Sequence, residues 1–188
     1  MHKALDYRGR CVVITGAAGG IGRGLAQSFA AVGATLELLD RDADALARLA
    51  DEFAGDTPLH CTALDLGDRQ AVQQYADDLA CRGLNADVLV NNAGVALSGR
   101  FDQLSADEFD WLIDINFNGV VRMTRAFLPL LATRDEARLV NLSSLFGLIA
   151  PPGQTAYSAA KFAVRGFSES LRNELLATGS PVGVTRAA

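Results

Sequence analysis

Hydrophobic positions along the chain follow two alternating rhythms: short apolar runs, then longer stretches in which apolar residues recur every three or four positions. The first run, Cys11-Val12-Val13-Ile14-Thr15, has the continuous character of a strand buried on both faces. A helix opens near Gly20, with Ile21, Leu25, Phe29 and Val32 predicted on its sheet-facing side. Leu36 to Asp40 predicts a second strand, followed by a charged, alanine-rich helix from about Asp42 to Phe53. A third strand, Leu59 to Leu64, precedes a helix beginning near Asp68, whose carboxylate can cap it. Val88 to Val90 reads as a fourth strand, then a long helix from about Asp107 to Leu131, a fifth strand Arg138 to Leu142, a helix from about Thr155 to Leu176, and a last strand Val182 to Thr185. Right-handed crossovers wind such a chain into a doubly wound α/β fold: one parallel sheet of six or more strands with helices on both faces, in a single domain spanning 1–188.

Composition narrows the partners. With 188 residues, 49% hydrophobic and 21% charged, the chain can close one sizeable core. Seventeen basic against twenty-two acidic side chains give a net charge of −5 without charge blocks, so neither nucleic acid nor an anionic lipid surface has an electrostatic footprint to meet. No run approaches the roughly 18–20 apolar residues of a membrane span, and Met1 to Asp6 lacks the apolar stretch of a leader; a cytoplasmic protein with a small-molecule partner is expected. Cys11, Cys61 and Cys81 form no C-x-x-C pair, and with only His2 and His60 to join them, neither a disulfide frame nor a metal site is expected.

Chemistry concentrates where the first strand turns into the first helix. In Thr15-Gly16-Ala17-Ala18-Gly19-Gly20-Ile21-Gly22 the spacing is T-G-x-x-x-G-x-G, with neither the G-x-G-x-x-G spacing nor the G-K-[ST] of a nucleoside-triphosphate loop. Glycines there let backbone approach a ligand, and a helix N-terminus favours an anion such as a pyrophosphate. Asp40 ends the second strand twenty residues after Gly20, where a carboxylate can accept from both hydroxyls of an adenosine ribose and would repel a 2′-phosphate. This favours NAD over NADP, although Arg41 follows directly and could pair with a phosphate if Asp40 turned away. Farther along, Tyr157 and Lys161 stand four apart in a helical run, one turn from each other on one face. An ammonium beside a phenol favours the phenolate, so the pair is a candidate acid-base centre.

Together, T-G-x-x-x-G-x-G, Asn91-Asn92-Ala93-Gly94 after the fourth strand, the serine pair of Val140-Asn141-Leu142-Ser143-Ser144, and Tyr157-x-x-x-Lys161 resemble the short-chain dehydrogenase/reductase family in order and spacing, from about Arg10 to Thr185. The resemblance implies a Rossmann fold and reversible interconversion of a secondary alcohol and a ketone, or a similar carbonyl, by hydride transfer with a nicotinamide cofactor. It implies that Tyr157 exchanges a proton with the substrate oxygen, that Ser144 rather than Ser143 hydrogen-bonds that oxygen, and that Lys161 supports the tyrosine and holds the nicotinamide ribose. Asn116 would position a water in a proton relay, with Asn118 the weaker rival. Gly16, Gly20, Ile21 and Gly22 would meet the cofactor's phosphates, Asp65 and Leu66 the adenine, and Asn92, Ala93 and Gly94 the adenosine ribose and central sheet.

Leu145, Phe146, Leu148, Ile149, Pro151 and Pro152 lie between Ser144 and Tyr157 and are candidates for an apolar substrate wall. The long helix, apolar around most of its circumference from Trp111 to Leu130, and the helix after Tyr157 with Phe162, Val164, Phe167 and Leu171, imply a homodimer or homotetramer by the same resemblance. Family members continue past Val182 to Thr185 into a Pro-Gly turn and a substrate lid, which Arg186-Ala187-Ala188 does not resemble. The adenosine half of the site is therefore expected to be more complete than the substrate half. Two rival readings stand beside this one: a dinucleotide-binding sensor or inactive relative, and, more remotely, a serine hydrolase on Gly166-Phe167-Ser168-Glu169-Ser170, which misses the last glycine of G-x-S-x-G.

Overall fold

In the computed structural model, which describes residues 6–53, 55 and 57–187, six strands pair in parallel in the order β3-β2-β1-β4-β5-β6. They are β1 (Cys11–Thr15), β2 (Thr35–Asp40), β3 (Leu59–Ala63), β4 (Val88–Asn91), β5 (Ala137–Leu142) and β6 (Val182–Ala187). The helices are α1 (Gly20–Ala31), α2 (Ala43–Ala50), α3 (Arg69–Cys81), α4 (Ala106–Ile113), α5 (Gly119–Leu131) and α6 (Thr155–Ala177). This is the doubly wound architecture that the alternation predicts and the Rossmann fold that the resemblance implies.

The continuous apolar run of β1 has its cause in two separate cores. Val12 and Ile14 join Leu36, Leu38, Leu46 and Leu49 beneath α1 and α2. Cys11 and Val13 face the other way, into a core with Tyr75, Leu79, Met123, Phe127 and Leu139 beneath α3 and α5. A charged group lies within this interior: Glu37, buried in the middle of β2, accepts from Tyr75 Oη at 2.7 Å and from both Nη atoms of Arg82 at 3.1 and 2.9 Å. A buried carboxylate persists only when so answered.

Four elements differ from the sequence expectation. The sheet-facing residues of α1 are Gly22 and Ala26, flanked by half-buried Leu25 and Phe29, whereas Ile21 and Val32 are 67% and 48% exposed. The reason is close packing: a Cβ on Gly22 would lie 2.2 Å from the Gly16 carbonyl oxygen, so only a bare backbone can press against the loop. The expected long helix is two helices, α4 and α5, joined by a five-residue π turn, Asp114–Asn118. α2 is shorter than expected and tightens into turns after Ala50, with Asp42 as its cap, Oδ1 accepting from Ala45 N at 2.9 Å. β6 runs two residues past Thr185, with Arg186 and Ala187 pairing in register with Asn141 and Leu142. His2 and Ala188 lie outside the described residues. No helix among those described is long and apolar enough to cross a membrane.

Candidate active site

The sheet order reverses between β1 and β4, and in open parallel sheets the crevice outside the carboxyl ends of the strands at that reversal is where ligands bind. A cavity of about 320 Å³ occupies this place, lined on one side by Thr15, Gly16, Gly19, Gly20 and Ile21 and on the other by Asn92, Ala93, Gly94 and Val95. Asp40, Arg41, Leu64, Asp65 and Leu66 close its far end. Gly22, behind the loop, is buried.

The loop fits an anion by construction. Gly16 has φ +63°, and a Cβ there would stand 2.7 Å from Ala93 Cα, so the strand-to-helix turn requires glycine twice over. No side chain caps α1 and no acidic residue lies in its first turn. The positive end of the helix and its free first N–H groups are therefore available to a phosphate.

Opposite, Asn92 ties the two central strands together. Its Nδ2 donates to the carbonyl oxygens of Thr15 and Gly16, both at 2.9 Å, while its N–H and that of Ala93 donate to Thr15 Oγ1 at 3.0 and 3.1 Å. Asp40 is equally fixed: Oδ2 accepts from Ala18 N at 3.1 Å and Oδ1 from Asp42 N at 3.2 Å. The carboxylate is thus held toward the loop, while exposed Arg41 lines the same cavity beside it.

Beyond Gly94 lies the second half of the site. Tyr157 is half-buried in the first turn of α6, and Phe146 packs edge-on against its ring at 6.1 Å between centroids. The N–H of Phe146 in turn donates to Ser144 Oγ at 3.2 Å, which registers the serine turn against the tyrosine helix and leaves the serine proton free to donate. Ser143 is otherwise engaged: its hydroxyl donates to the Lys161 carbonyl at 3.2 Å. Lys161 is 4% exposed, with Nζ donating to the Leu142 carbonyl at 3.0 Å and lying 5.6 Å from the Tyr157 ring centroid. Burial pushes its ammonium down to about 8 from an ordinary 10.5.

Asn116 sits fully buried in the π turn and pairs with both backbone groups of Val95: Oδ1 accepts from the N–H at 2.9 Å and Nδ2 donates to the carbonyl at 2.7 Å. A Cβ on Gly94 would meet Asn116 Oδ1 at 2.7 Å and Lys161 Nζ at 3.7 Å, so the asparagine oxygen and the lysine both flank this glycine. Asn118 points elsewhere and donates to Asp114 Oδ1 at 3.0 Å.

The candidate cofactor-binding and catalytic residues thus gather at one end of the sheet, although Gly22, Asn116, Ser144, Tyr157 and Lys161 are not among the residues that line the cavity. Leu145, Leu148 and Ile149, between Ser144 and Tyr157, are 57%, 43% and 50% exposed. Ser168 is remote from this chemistry: it is buried, accepts from Asn141 Nδ2 at 2.9 Å and donates to the Val164 carbonyl at 2.7 Å, so it is no exposed nucleophile. The sequence reading missed Leu39, Leu64, Val95 and Ile115 as lining residues; being plain apolar positions, they give no signal before the fold is known. Thr15, quoted only as the start of the glycine pattern, is a hydrogen-bonding hub.

Comparison with known proteins gives this geometry a context. The sequence profile described as short chain dehydrogenase matches residues 10–188. SadH of Mycobacterium tuberculosis is 44% identical over 183 residues, covering 96% of this chain and 66% of SadH, so the chain spans about two thirds of that relative's length. A short chain dehydrogenase/reductase from Burkholderia phymatum, solved in complex with NAD, superposes with a TM-score of 0.93 at 34% identity, over 97% of this chain and 66% of the other. A metagenomic short-chain oxidoreductase, solved in complex with NADP, superposes with a TM-score of 0.89 at 32% identity, over 97% of this chain and 82% of the other.

Proposed function

The chain belongs to the short chain dehydrogenase family, and from that premise we propose that it is an oxidoreductase interconverting a secondary alcohol and a ketone, or a similar carbonyl, with a nicotinamide dinucleotide. One observation carries the reading: a glycine-walled cavity bordered by a fixed Asp40 opens at Gly94 toward a buried Lys161 beside Tyr157.

The residues fit the cofactor. Free N–H groups of α1 and the bare backbone of Gly16 and Gly20, with Ile21 alongside and Gly22 letting the helix pack behind the loop, suit a pyrophosphate. Asp40 suits the adenosine ribose, with Asn92, Ala93 and Gly94 behind it, and Asp65 and Leu66 suit the adenine. We read NAD as preferred over NADP, because a carboxylate held by two backbone N–H groups accepts from ribose hydroxyls and repels a 2′-phosphate; Arg41 is the feature that would serve NADP.

When bound, the dinucleotide supplies or takes up the hydride. The chain's own residues handle the proton and the placement. Tyr157 gives its phenolic proton to the carbonyl oxygen in reduction and recovers it from the alcohol in oxidation. Ser144 donates to the same oxygen and stabilises its developing charge. Lys161 sets a positive charge at the phenol and holds the nicotinamide ribose. Asn116 keeps Val95 in place and, with the acceptor capacity left on Oδ1, holds a water on the path between Lys161 and solvent.

A second copy of the chain is the partner we assign to the groove of about 460 Å³ between α5 and α6, whose walls include Val121, Leu128, Pro129, Phe167, Leu171 and Leu175. Sedimentation as a dimer or tetramer at micromolar concentration supports this, and a monomer argues against it. Free Cys11, Cys61 and Cys81 suit the reducing cytoplasm. The catalytic reading is tested by turnover of a panel of secondary alcohols with NAD and NADP, before and after Tyr157→Phe. Equal activity in both proteins sinks the assigned role; NADH binding without turnover of any panel member favours a dinucleotide-binding protein without catalysis.

A further inference from the structure

We propose that Arg122 is a positioning residue for the dinucleotide, tying the adenine-side wall of the cavity to the π turn that carries Asn116. This rests on the dinucleotide reading above and concerns a side chain outside every motif of the sequence.

Arg122 stands in the first turn of α5, and long helical side chains lean toward the helix N-terminus. It reaches back across the whole π turn to Asp114, with Nη2 donating to Oδ1 at 2.5 Å and Nη1 to Oδ2 at 2.9 Å. The same Nη1 donates to the main-chain carbonyl of Leu66 at 2.9 Å. One planar group therefore joins the start of the turn, the helix after it and the loop after β3. Lysine, a point charge, cannot reproduce that fork. Nε of Arg122 is buried without an acceptor among the described residues, so the polar contacts of the guanidinium run through its two Nη atoms. Asn118 adds a third bond to Asp114, and the Arg122 guanidinium holds the Asp114 carboxyl below the usual carboxylate range, which keeps the pair charged.

The joint has the site on both sides. Leu66 and Ile115 line the cavity, and a Cβ on Gly119 would come within 3.3 Å of Leu66 Cβ, so the Leu66 side chain rests on the end of the π turn. Asn116, next after Ile115, holds Val95 on the opposite wall. A displacement of the Leu66 loop is thus resisted by the same turn that fixes Asn116. The Arg122 side chain is 15% exposed, which limits screening of the contact by solvent and salt.

The test uses the full chain as wild type, Arg122→Met and Arg122→Lys, with NADH titrated by fluorescence, AMP as a probe of the adenine end alone, and circular dichroism to verify folding. Arg122→Met is expected to raise the Kd for NADH and for AMP about tenfold each, the size of one lost charge-assisted hydrogen bond. Arg122→Lys is expected to recover part of that loss. A folded Arg122→Met with reduced thermal midpoint but wild-type Kd for both ligands overturns the proposal, since that is what a merely structural ion pair predicts. Should Arg122→Met not fold, Asp114→Asn replaces it, with a smaller loss in the same direction expected and unchanged Kd values overturning. Wild-type protein that binds neither NADH nor NADPH overturns the dinucleotide reading and this proposal together; normal wild-type binding with unchanged variants overturns this proposal alone.

Discussion

Asn116 holds Val95 by both of its main-chain groups, a two-point contact between a π turn and the wall of the cavity twenty-one residues earlier in the chain. An α-helix gives each side chain a direction set by its 3.6-residue period; inserting a residue re-aims every later side chain, and such turns recur at functional sites. Here the π turn coincides with the asparagine that faces Gly94 and Lys161.

Asn116→Ala removes both partners from the Val95 peptide groups in a fully buried position. A loss of about 3 kcal/mol of stability is expected, the desolvation penalty of two orphaned groups. Urea unfolding of the variant checks it, and a loss under 1 kcal/mol would show that water or a shifted backbone replaces the pair.

Tyr157→Phe keeps the ring that packs against Phe146 and deletes only the hydroxyl. Turnover of a secondary alcohol is expected to fall about 10²- to 10⁴-fold, the usual range for a general acid-base group. NADH affinity is expected to stay within about twofold if, as proposed, the lost atom serves the substrate oxygen. Steady-state kinetics and fluorescence titration separate the two effects.

Lys161→Met exchanges activity for stability. In the folded protein Lys161 loses its proton near pH 8, against 10.5 when exposed. Between those values the unfolded chain binds more protons, so stability rises with pH through the window and is lowest below 8. The buried charge costs about 3 kcal/mol at neutral pH, offset by about 1 kcal/mol for the bond to the Leu142 carbonyl. Lys161→Met is therefore expected to be about 2 kcal/mol more stable than wild type at pH 7, with that advantage vanishing by pH 10, and to lose turnover. Urea midpoints at the two pH values decide it; a variant less stable at pH 7 contradicts the argument.

Asp40→Ser removes the carboxylate that accepts from Ala18 and Asp42 beside exposed Arg41. The ratio of kcat/KM for NAD over NADP is expected to fall at least about tenfold, through loss of the proposed ribose bonds and of the repulsion against a 2′-phosphate. An unchanged ratio would mean that Asp40 does not meet the ribose.

Gly22→Ala places a methyl 2.2 Å from the Gly16 carbonyl oxygen, where only backbone could yield. A stability loss of about 2 kcal/mol or more and weakened NADH binding are expected together, because the loop that must shift is the one proposed to hold the phosphates. Thermal melting with and without NADH measures both.

Much of the candidate site is legible in the sequence because its residues are marked by local spacing. Gly16 and Gly22 are needed where a strand turns into a helix, Asp68 caps α3 three residues past Asp65, and Tyr157 and Lys161 share a helix face by simple spacing. The face of α1 departs from its spacing: Ile21 and Val32 have helical spacing with Leu25 and Phe29, but apolarity alone does not reveal that the closest contact is made by Gly22 and Ala26. Ile21 instead lines the cavity.

The alternation of strand and helix, and with it a parallel sheet covered by helices on both faces, is legible in the residue pattern alone, as are the glycine loop, Asp40 and the Tyr157–Lys161 pair. The alternation and the sheet arise from side-chain periodicity and right-handed crossovers, which are local properties of the chain. The strand order with its reversal between β1 and β4, the π turn at Asn116, the joining of Arg122 to Asp114 and Leu66, the burial of Glu37 against Tyr75 and Arg82, and the lowered proton affinity of Lys161 come from the folded arrangement. Each depends on how close two distant segments come and how much water they exclude; electrostatic and hydrogen-bond energies vary steeply with both, and neither is written in the spacing of residues along the chain.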